Sequence, residues 1–571
     1  MSPIPDDALG YKPSVSIGIS AEDLPAELET DVIVVGAGAA GLTAANAAAA
    51  HGHQVIVLEA AAEAGGTTVK SAGGFMVCNN DFTARAGLVE DRETTLRLMA
   101  KTSFADRYDP AAQRLGLDEL DYDLLTTFYD RSNEIVHRLE ADRVLTITTA
   151  PSISGEPRPL PSYFTQLEEE TIAYGRTLNP VTPDGLPGFG RELIRQLIAG
   201  AERRGARVLT AQPVSEILRD ADGEVSGVAV DGPQGRRTFL ARQGVIFATG
   251  GFAHNVELLN EHMPGPVMGS CAVPTSQGSF IELTRDLDVE LAYLDCAWWG
   301  EVAAEMVLES REVIALLFYP YGDSMIYVNR EGRRVVNEKA VYDQRGPVHF
   351  VRDADGDQPN RLLFMIYDHA VAREPTNMFP ARYPVPAAGD SAPYVIEAPT
   401  LEELERAIRE RLERIAAHTG ALQLADGFGA ELRRTIATFN RYAERGVDLD
   451  FKRGQEPIQV DGSGPGRPGS HPNRTMYPIA SEGPFYCIIT AAGVLDTKGG
   501  PRINTRSQVL RRDGSPVPRL YGAGNCIASP SAAAYWSGGT TIGLGMTYGY
   551  IAGEEVSRLP ARRSAAAAAG A

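Results

Sequence analysis

The sequence is poor in sulfur chemistry and has no apolar run of membrane length. Its five cysteines (Cys78, Cys271, Cys296, Cys487 and Cys526) are scattered, with no CxxC pair. That excludes a disulfide framework and cysteine-held zinc or iron–sulfur sites, and predicts reduced thiols in a cytoplasmic protein. No apolar stretch reaches the ~20 residues of a membrane span. Residues 1–29 have neither the basic nor the apolar region of a signal peptide. The nine histidines form no HExxH or similar spacing, so no metal is expected. Positive charge is scarce too. A formal charge of −20 argues against nucleic acid and anionic membrane surfaces as partners, and is silent on a neutral small molecule. What the chain does have is length: 571 residues at 43% apolar content fill the cores of two or more domains.

The most informative stretch is Asp31 to Ala60. Val32 to Val35 is a β-branched run of the kind that forms a strand buried on both faces. It stops at Gly36-Ala37-Gly38-Ala39-Ala40-Gly41, an Ala-rich helical pattern follows to about Ala50, and a second apolar run, Val55 to Leu58, ends in Glu59-Ala60. Gly36 suits the tight turn, Gly38 a close approach of backbone to pyrophosphate, and Gly41 close helix–strand packing. The helix N-terminus offers N–H groups to a diphosphate, and Glu59 can accept from ribose hydroxyls. Gly65-Gly66-Thr67-Thr68 and Ser71-Ala72-Gly73-Gly74 then supply small and hydroxylated residues able to pass near a flat ring system. Directly behind a dinucleotide unit, that favours FAD over NAD.

Further on, Asp121 to Glu140 reads as a helix carrying Tyr122, Phe128 and Tyr129, and Ser152 to Gly190 as a long ordered loop. Arg191 to Arg204 has an amphipathic period, and short strands are expected at 208–210, 216–218 and 225–230. A strand from Gly244 runs into a second glycine turn, with Ala248, Thr249 and Gly250 returning to the cofactor. From Cys271 the glycine fingerprints cease, and aromatic-rich strands alternate with helices, one opened by Thr400 as N-cap. Gly524-Asn525 and Tyr535-Trp536-Ser537-Gly538-Gly539-Thr540-Thr541-Ile542 bring the chain back to the first unit. The glycine turn there opens another helix, an anion-capable end expected to close over the flavin.

The motifs GAGAAG with GGTT, ATGGF at 248–252, VNREGRRVVNE at 328–338, FNRYAERGVDLDFKRG at 439–454, GPFY at 483–486 and YGAGN at 521–525 carry a resemblance over most of residues 30–556. The chain resembles the flavoprotein family of fumarate reductases and 3-ketosteroid dehydrogenases, and more the second. The resemblance implies an α/β fold: a Rossmann-like FAD-binding domain with an inserted α+β catalytic (cap) domain and the active site between them. The expected divisions are an extension at 1–29, FAD-binding parts at 30–270 and 478–558, the cap at 271–477, and a flexible tail at 559–571. Lys70-Ser71 stand where some fumarate reductases attach flavin through a His, so FAD is expected to be noncovalent.

The same comparison separates two chemistries. Three basic positions that hold and protonate a dicarboxylate in fumarate reductases are here Tyr342, Asp496 and Trp536. An uncompensated dicarboxylate would cost several kcal/mol in such a pocket, so the expected substrate is a small neutral ketone. By resemblance, Tyr535 and the Gly538 N–H polarise the carbonyl, Tyr342 takes the α proton, the β hydride goes to flavin N5, and an aromatic from the first domain helps, for which Tyr129 is chosen with Tyr122 close behind. A phenol has a pKa near ~10, so Tyr342 needs a neighbouring hydroxyl or dipole to act as a base. YWSGGT is shorter than the Δ1-dehydrogenase element, and its Ser resembles enzymes acting at Δ4-(5α) or on small cyclic ketones. Steroid and small ring stay open, as does the electron acceptor (quinone, flavoprotein or oxygen). The alternative is an enone or fumarate-type reductase fed by an external donor; no CxxCH haem motif is present.

Overall fold

The apolar run at Val32–Val35 is the inner half of strand β1, Glu27–Val35, which continues into helix α1, Ala39–Ala50, and strand β2, Val55–Leu58. The computed structural model describes residues 25–562, apart from 233–234, 309, 314–315, 374–383, 465–466 and 468–470. Most of the expected extension and tail lies outside the described residues. β1 is parallel to β2 on one side, Val32 facing Val55. On the other side it is parallel to β3, Gly235–Phe247. Strands 207–209 beyond β2, and 516–522 with 508–510 beyond β3, complete the row; 225–232 and 214–219 add a hairpin to β3. β-branched residues packed on both faces give this sheet its uninterrupted apolar strands.

Two helices show how small side chains place the cofactor end of that sheet. Eight of the twelve residues of α1 are alanine, and all but the last residue are buried. α3, Thr540–Ser557, follows α2, Glu119–Ala141, in chain order and lies against α1. A Cβ on Gly549 would stand 2.3 Å from the Ala40 carbonyl oxygen, and one on Gly553 2.4 Å from that of Ala44. The two backbones therefore touch, and only glycine permits it.

A second sheet carries the remaining apolar strands. Its central member is β4, Phe485–Thr497. It pairs with strands 297–303, 362–368, 395–398 and 269–270, and 325–328 pairs with 362–368. The expected cap ends at 477, before β4; yet β4 forms the middle of the second sheet. Its run of apolar residues reads equally well as a strand of either sheet, and only the pairing assigns it. Thr400 caps its helix as expected, accepting from the Glu403 N–H. No helix among the described residues is long and apolar enough to cross a membrane.

Candidate active site

A cleft opens at the C-terminal ends of β1, β2 and β3. The turn after β1 contributes Gly36, Gly38, Ala39 and Ala40, the end of β2 contributes Glu59 and Ala60, and the segment behind it Gly66, Thr67 and Thr68. Ala248, Thr249 and Gly250 come from the turn after β3, and Gly524, Asn525, Thr541 and Ile542 from the returning chain. Gly36 has φ +105°, and a Cβ on it would lie 2.3 Å from the Ala248 carbonyl oxygen. Gly38 differs: a Cβ there would meet nothing closer than 3.9 Å, so its open side faces the cleft. That is room for a group approaching the main chain closely. With the α1 N-terminus beside it, the cradle fits a dinucleotide diphosphate.

Glu59 holds this turn in shape. Its carboxylate accepts from the Ala37 N–H at 2.9 Å and from the Ala61 N–H at 2.9 Å, while burial lifts its pKa. The other expected cofactor residues stand behind the cleft. A Cβ on Gly41 would collide with the Gly36 carbonyl, Gly73 packs on Phe189, Gly539 packs on Gly74, and Ser71 accepts from the Gly190 N–H through its carbonyl. Asp496, which the resemblance sets at a substrate-holding position, lines the cofactor cleft, accepting from Gly251 N at 2.9 Å and from the Asn525 amide at 3.1 Å.

Asn525 ties the cleft to a cluster of tyrosines. Its side-chain oxygen accepts from Trp298 Nε1 at 2.9 Å, and the Trp298 ring meets Tyr535 edge-on at 5.2 Å. Tyr535 lies 5.5 Å from the Tyr342 ring and 5.9 Å from that of Tyr163, centroid to centroid. The Tyr163 hydroxyl is 3.4 Å from that of Tyr342 and 3.5 Å from that of Tyr319. A Cβ on Gly538 would sit 3.4 Å from the Tyr163 hydroxyl, so the glycine borders the same space. Burial raises the pKa of Tyr163, Tyr342 and Tyr535 alike; for Tyr535 the Tyr342 hydroxyl opposes the rise.

Tyr342 and Tyr535 are each aimed by long-range contacts made on the residues beside them. Tyr342 begins a single helical turn. The next residue, Asp343, accepts from Trp299 N at 2.9 Å, and Arg345 pairs with Glu301 at 2.8 Å, both fully buried. The loop before it is braced by Arg334, which bonds Glu338 at 2.7 Å and Asp448 at 2.9 Å, with Arg453 on Glu338 at 3.2 Å. VNREGRRVVNE and VDLDFKRG thus form one buried ion network; breaking such a network at one partner costs ~3–5 kcal/mol. Tyr535 is set by Lys498, whose ammonium lies 4.0 Å over the Trp298 ring and donates to the Ala534 carbonyl at 2.9 Å.

Other expected residues take different places. The Tyr129 hydroxyl donates to the Glu90 carbonyl at 3.2 Å, and its ring faces Arg92, so it does not join the cluster. Its position on α2 points it into the helix packing instead. Tyr163 takes the place expected of a first-domain aromatic. It comes from the proline- and glycine-rich loop, where, as at Tyr535, no helix or strand face needs an aromatic, and that is the signal the sequence holds for it. Trp536 is fully buried against Phe128 and donates to Ser103 at 2.9 Å, so it is core.

The FAD binding domain family profile matches residues 31–542. The chain is 28% identical to the 4-oxocyclohexanecarboxylate 2-dehydrogenase of Sinomonas cyclohexanicum, over 92% of each chain. It is also 28% identical to the 3-oxosteroid 1-dehydrogenase of Mycolicibacterium smegmatis, over 93% of this chain and 97% of that one. Its fold matches the crystal structure of 3-ketosteroid delta1-dehydrogenase from Sterolibacterium denitrificans with a TM-score of 0.75, at 21% identity, over 93% of this chain and 99% of that one.

Proposed function

We infer the reaction from one premise: the chain belongs to the FAD binding domain family and is an FAD-dependent oxidoreductase. On that premise we propose that it dehydrogenates a cyclic ketone, introducing a double bond α,β to the carbonyl. The observation that carries the proposal is the buried meeting of Tyr163, Tyr342, Tyr535 and Gly538 next to the cofactor cleft. FAD, held noncovalently by the β1–α1 turn, Glu59 and the α3 end, supplies a hydride acceptor when bound.

The chain's own residues do the rest. The Tyr535 hydroxyl and the Gly538 N–H donate to the ketone oxygen as it becomes enolate-like, in a site where burial removes competing water. Tyr342 Oη receives the α proton. Tyr163, not Tyr129, is the first-domain helper, since its hydroxyl is the one that reaches Tyr342. At 3.4 Å this contact is longer than an ordinary O–H···O hydrogen bond, a length common among catalytic contacts before substrate tightens them. Among the described residues, no arginine side chain joins these groups to clamp a dicarboxylate, which favours the ketone over fumarate.

The test is anaerobic: the visible absorbance of the bound flavin is followed as cyclohexanone, 4-oxocyclohexanecarboxylate and a 3-ketosteroid are added in turn. Bleaching with the enone recovered as product is the expected result, and the ketone that works reads both ring size and charge. Bleaching by none of them, with rapid reoxidation of the reduced protein by an enone, would overturn the proposal in favour of a reductase.

A further inference from the structure

Proton abstraction at Tyr342 leaves a proton in a buried place. Tyr342 and Tyr163 are only 5% and 3% exposed, and burial keeps both phenols protonated, so neither is a resting base. The Tyr163 hydroxyl has a second neighbour, the hydroxyl of Tyr319 at 3.5 Å. Tyr319 is the member of the group that remains partly exposed to solvent. The three hydroxyls thus form a row from buried Tyr342 through buried Tyr163 to Tyr319, a residue that is partly exposed.

The outer residue is held firmly. A Cβ on Gly462 would lie 2.2 Å from the Tyr319 ring, so that backbone lies flat against it. The adjoining Asp461 is fixed by Ser152 Oγ at 2.5 Å and Ile153 N at 2.9 Å, which joins this corner to the loop that carries Tyr163. On the other side, buried Lys339 donates to the carbonyl of Pro320, the residue after Tyr319. Both ends of the Tyr163–Tyr319 contact are thus anchored to each other.

We propose that Tyr319 is the exit of a proton relay, Tyr342 to Tyr163 to Tyr319 to solvent, for the reaction proposed above, on which this inference rests. As the α C–H bond breaks, its electron pair stays on the substrate as the enolate and its proton bonds to Tyr342 Oη. The proton already on Tyr342 passes to Tyr163, that of Tyr163 to Tyr319, and that of Tyr319 to a solvent water. Each phenol ends with one proton, and no phenolate has to persist in the interior. The Asp461 carboxylate near Tyr319 favours the positive charge that moves toward it.

The relay is tested with holoenzyme reduced by dithionite, which can enolise a ketone but cannot take its hydride. The probe is whichever of the three ketones bleaches the oxidised protein, deuterated at its α carbons, with loss of deuterium to water read by mass spectrometry. Wild type washes the label out. Tyr319→Phe keeps the ring against Gly462 but returns the proton to the carbon it left, so washout falls roughly 100-fold, the lower end of what a positioned proton-transfer group contributes. Flavin content and ketone affinity stay as in wild type. Tyr319→His, which keeps a ring with a proton-carrying atom, restores washout. Washout in Tyr319→Phe equal to wild type overturns the relay, as does a fall that merely follows weaker flavin or ketone binding. A wild type that neither bleaches nor exchanges overturns the dehydrogenase reading itself, and the relay with it.

Discussion

The cofactor cleft and the tyrosine cluster, though joined through Asn525 and Trp298, are built in opposite ways. The cleft is main chain: a positive-φ Gly36 against Ala248, an open Gly38, N–H groups at the end of α1, and a carboxylate from the neighbouring strand tying the turn together. The cluster is side chain, drawn from residues 163, 319, 342 and 535 with no two on one element. A backbone cradle is specified by spacing, because the atoms that make it are neighbours along the chain. A set of hydroxyls is specified by direction, and direction comes from packing.

If that contrast holds, variants should damage one region and spare the other. The largest effect is expected from Gly36→Ala, whose Cβ would fall 2.3 Å from the Ala248 carbonyl at a φ of +105°. The protein should purify colourless and inactive, checked by its visible spectrum; a fully yellow variant would break the claim that backbone contact makes the cleft. Tyr342→Phe should do the reverse, keeping flavin while turnover falls roughly 100- to 10,000-fold, the usual worth of a positioned acid–base group. Tyr535→Phe, losing one donor to the ketone oxygen, should cost roughly 100- to 1,000-fold in kcat with the flavin spectrum intact.

The smallest effect concerns the support of Tyr342. Burial lifts the Asp343 carboxyl from 3.8 to about 6, with Lys498 opposing. The folded protein thus holds a proton that the unfolded chain releases, so this group's stability is fully present below pH about 4 and is lost as pH rises through 6. Asp343→Asn removes that titration, and should gain up to ~3 kcal/mol relative to wild type between pH about 4 and 7. Denaturant melts at both pH values check it; a pH-independent difference would mean that Asp343 is solvated as an ordinary surface carboxylate.

Legibility follows the same division. GAGAAG, Glu59 and the turns at 248–250 and 524–525 are readable because glycines and a terminal carboxylate at that spacing meet steric and hydrogen-bonding needs peculiar to a diphosphate turn. Tyr342 and Tyr535 are reachable through the family resemblance. Tyr129 is the choice because the resemblance calls for a first-domain aromatic without fixing its place, and the loop that carries Tyr163 offers no periodicity to reason from. Yet the helix face is what sends Tyr129 into packing, toward the Glu90 carbonyl.

By itself the sequence determined the doubly flanked strands, the glycine turns, the alanine helix and the cofactor class. Each depends on the steric and hydrogen-bonding needs of residues only a few places apart. The tertiary structure alone decided that β4 belongs to the second sheet, that buried Lys498 braces the Tyr535 segment, and that Tyr163 and Tyr319 stand beside Tyr342. Those pairings join positions tens to hundreds of residues apart. They exist only once loop-closure entropy has been overcome by the burial of both cores, so no local spacing records them.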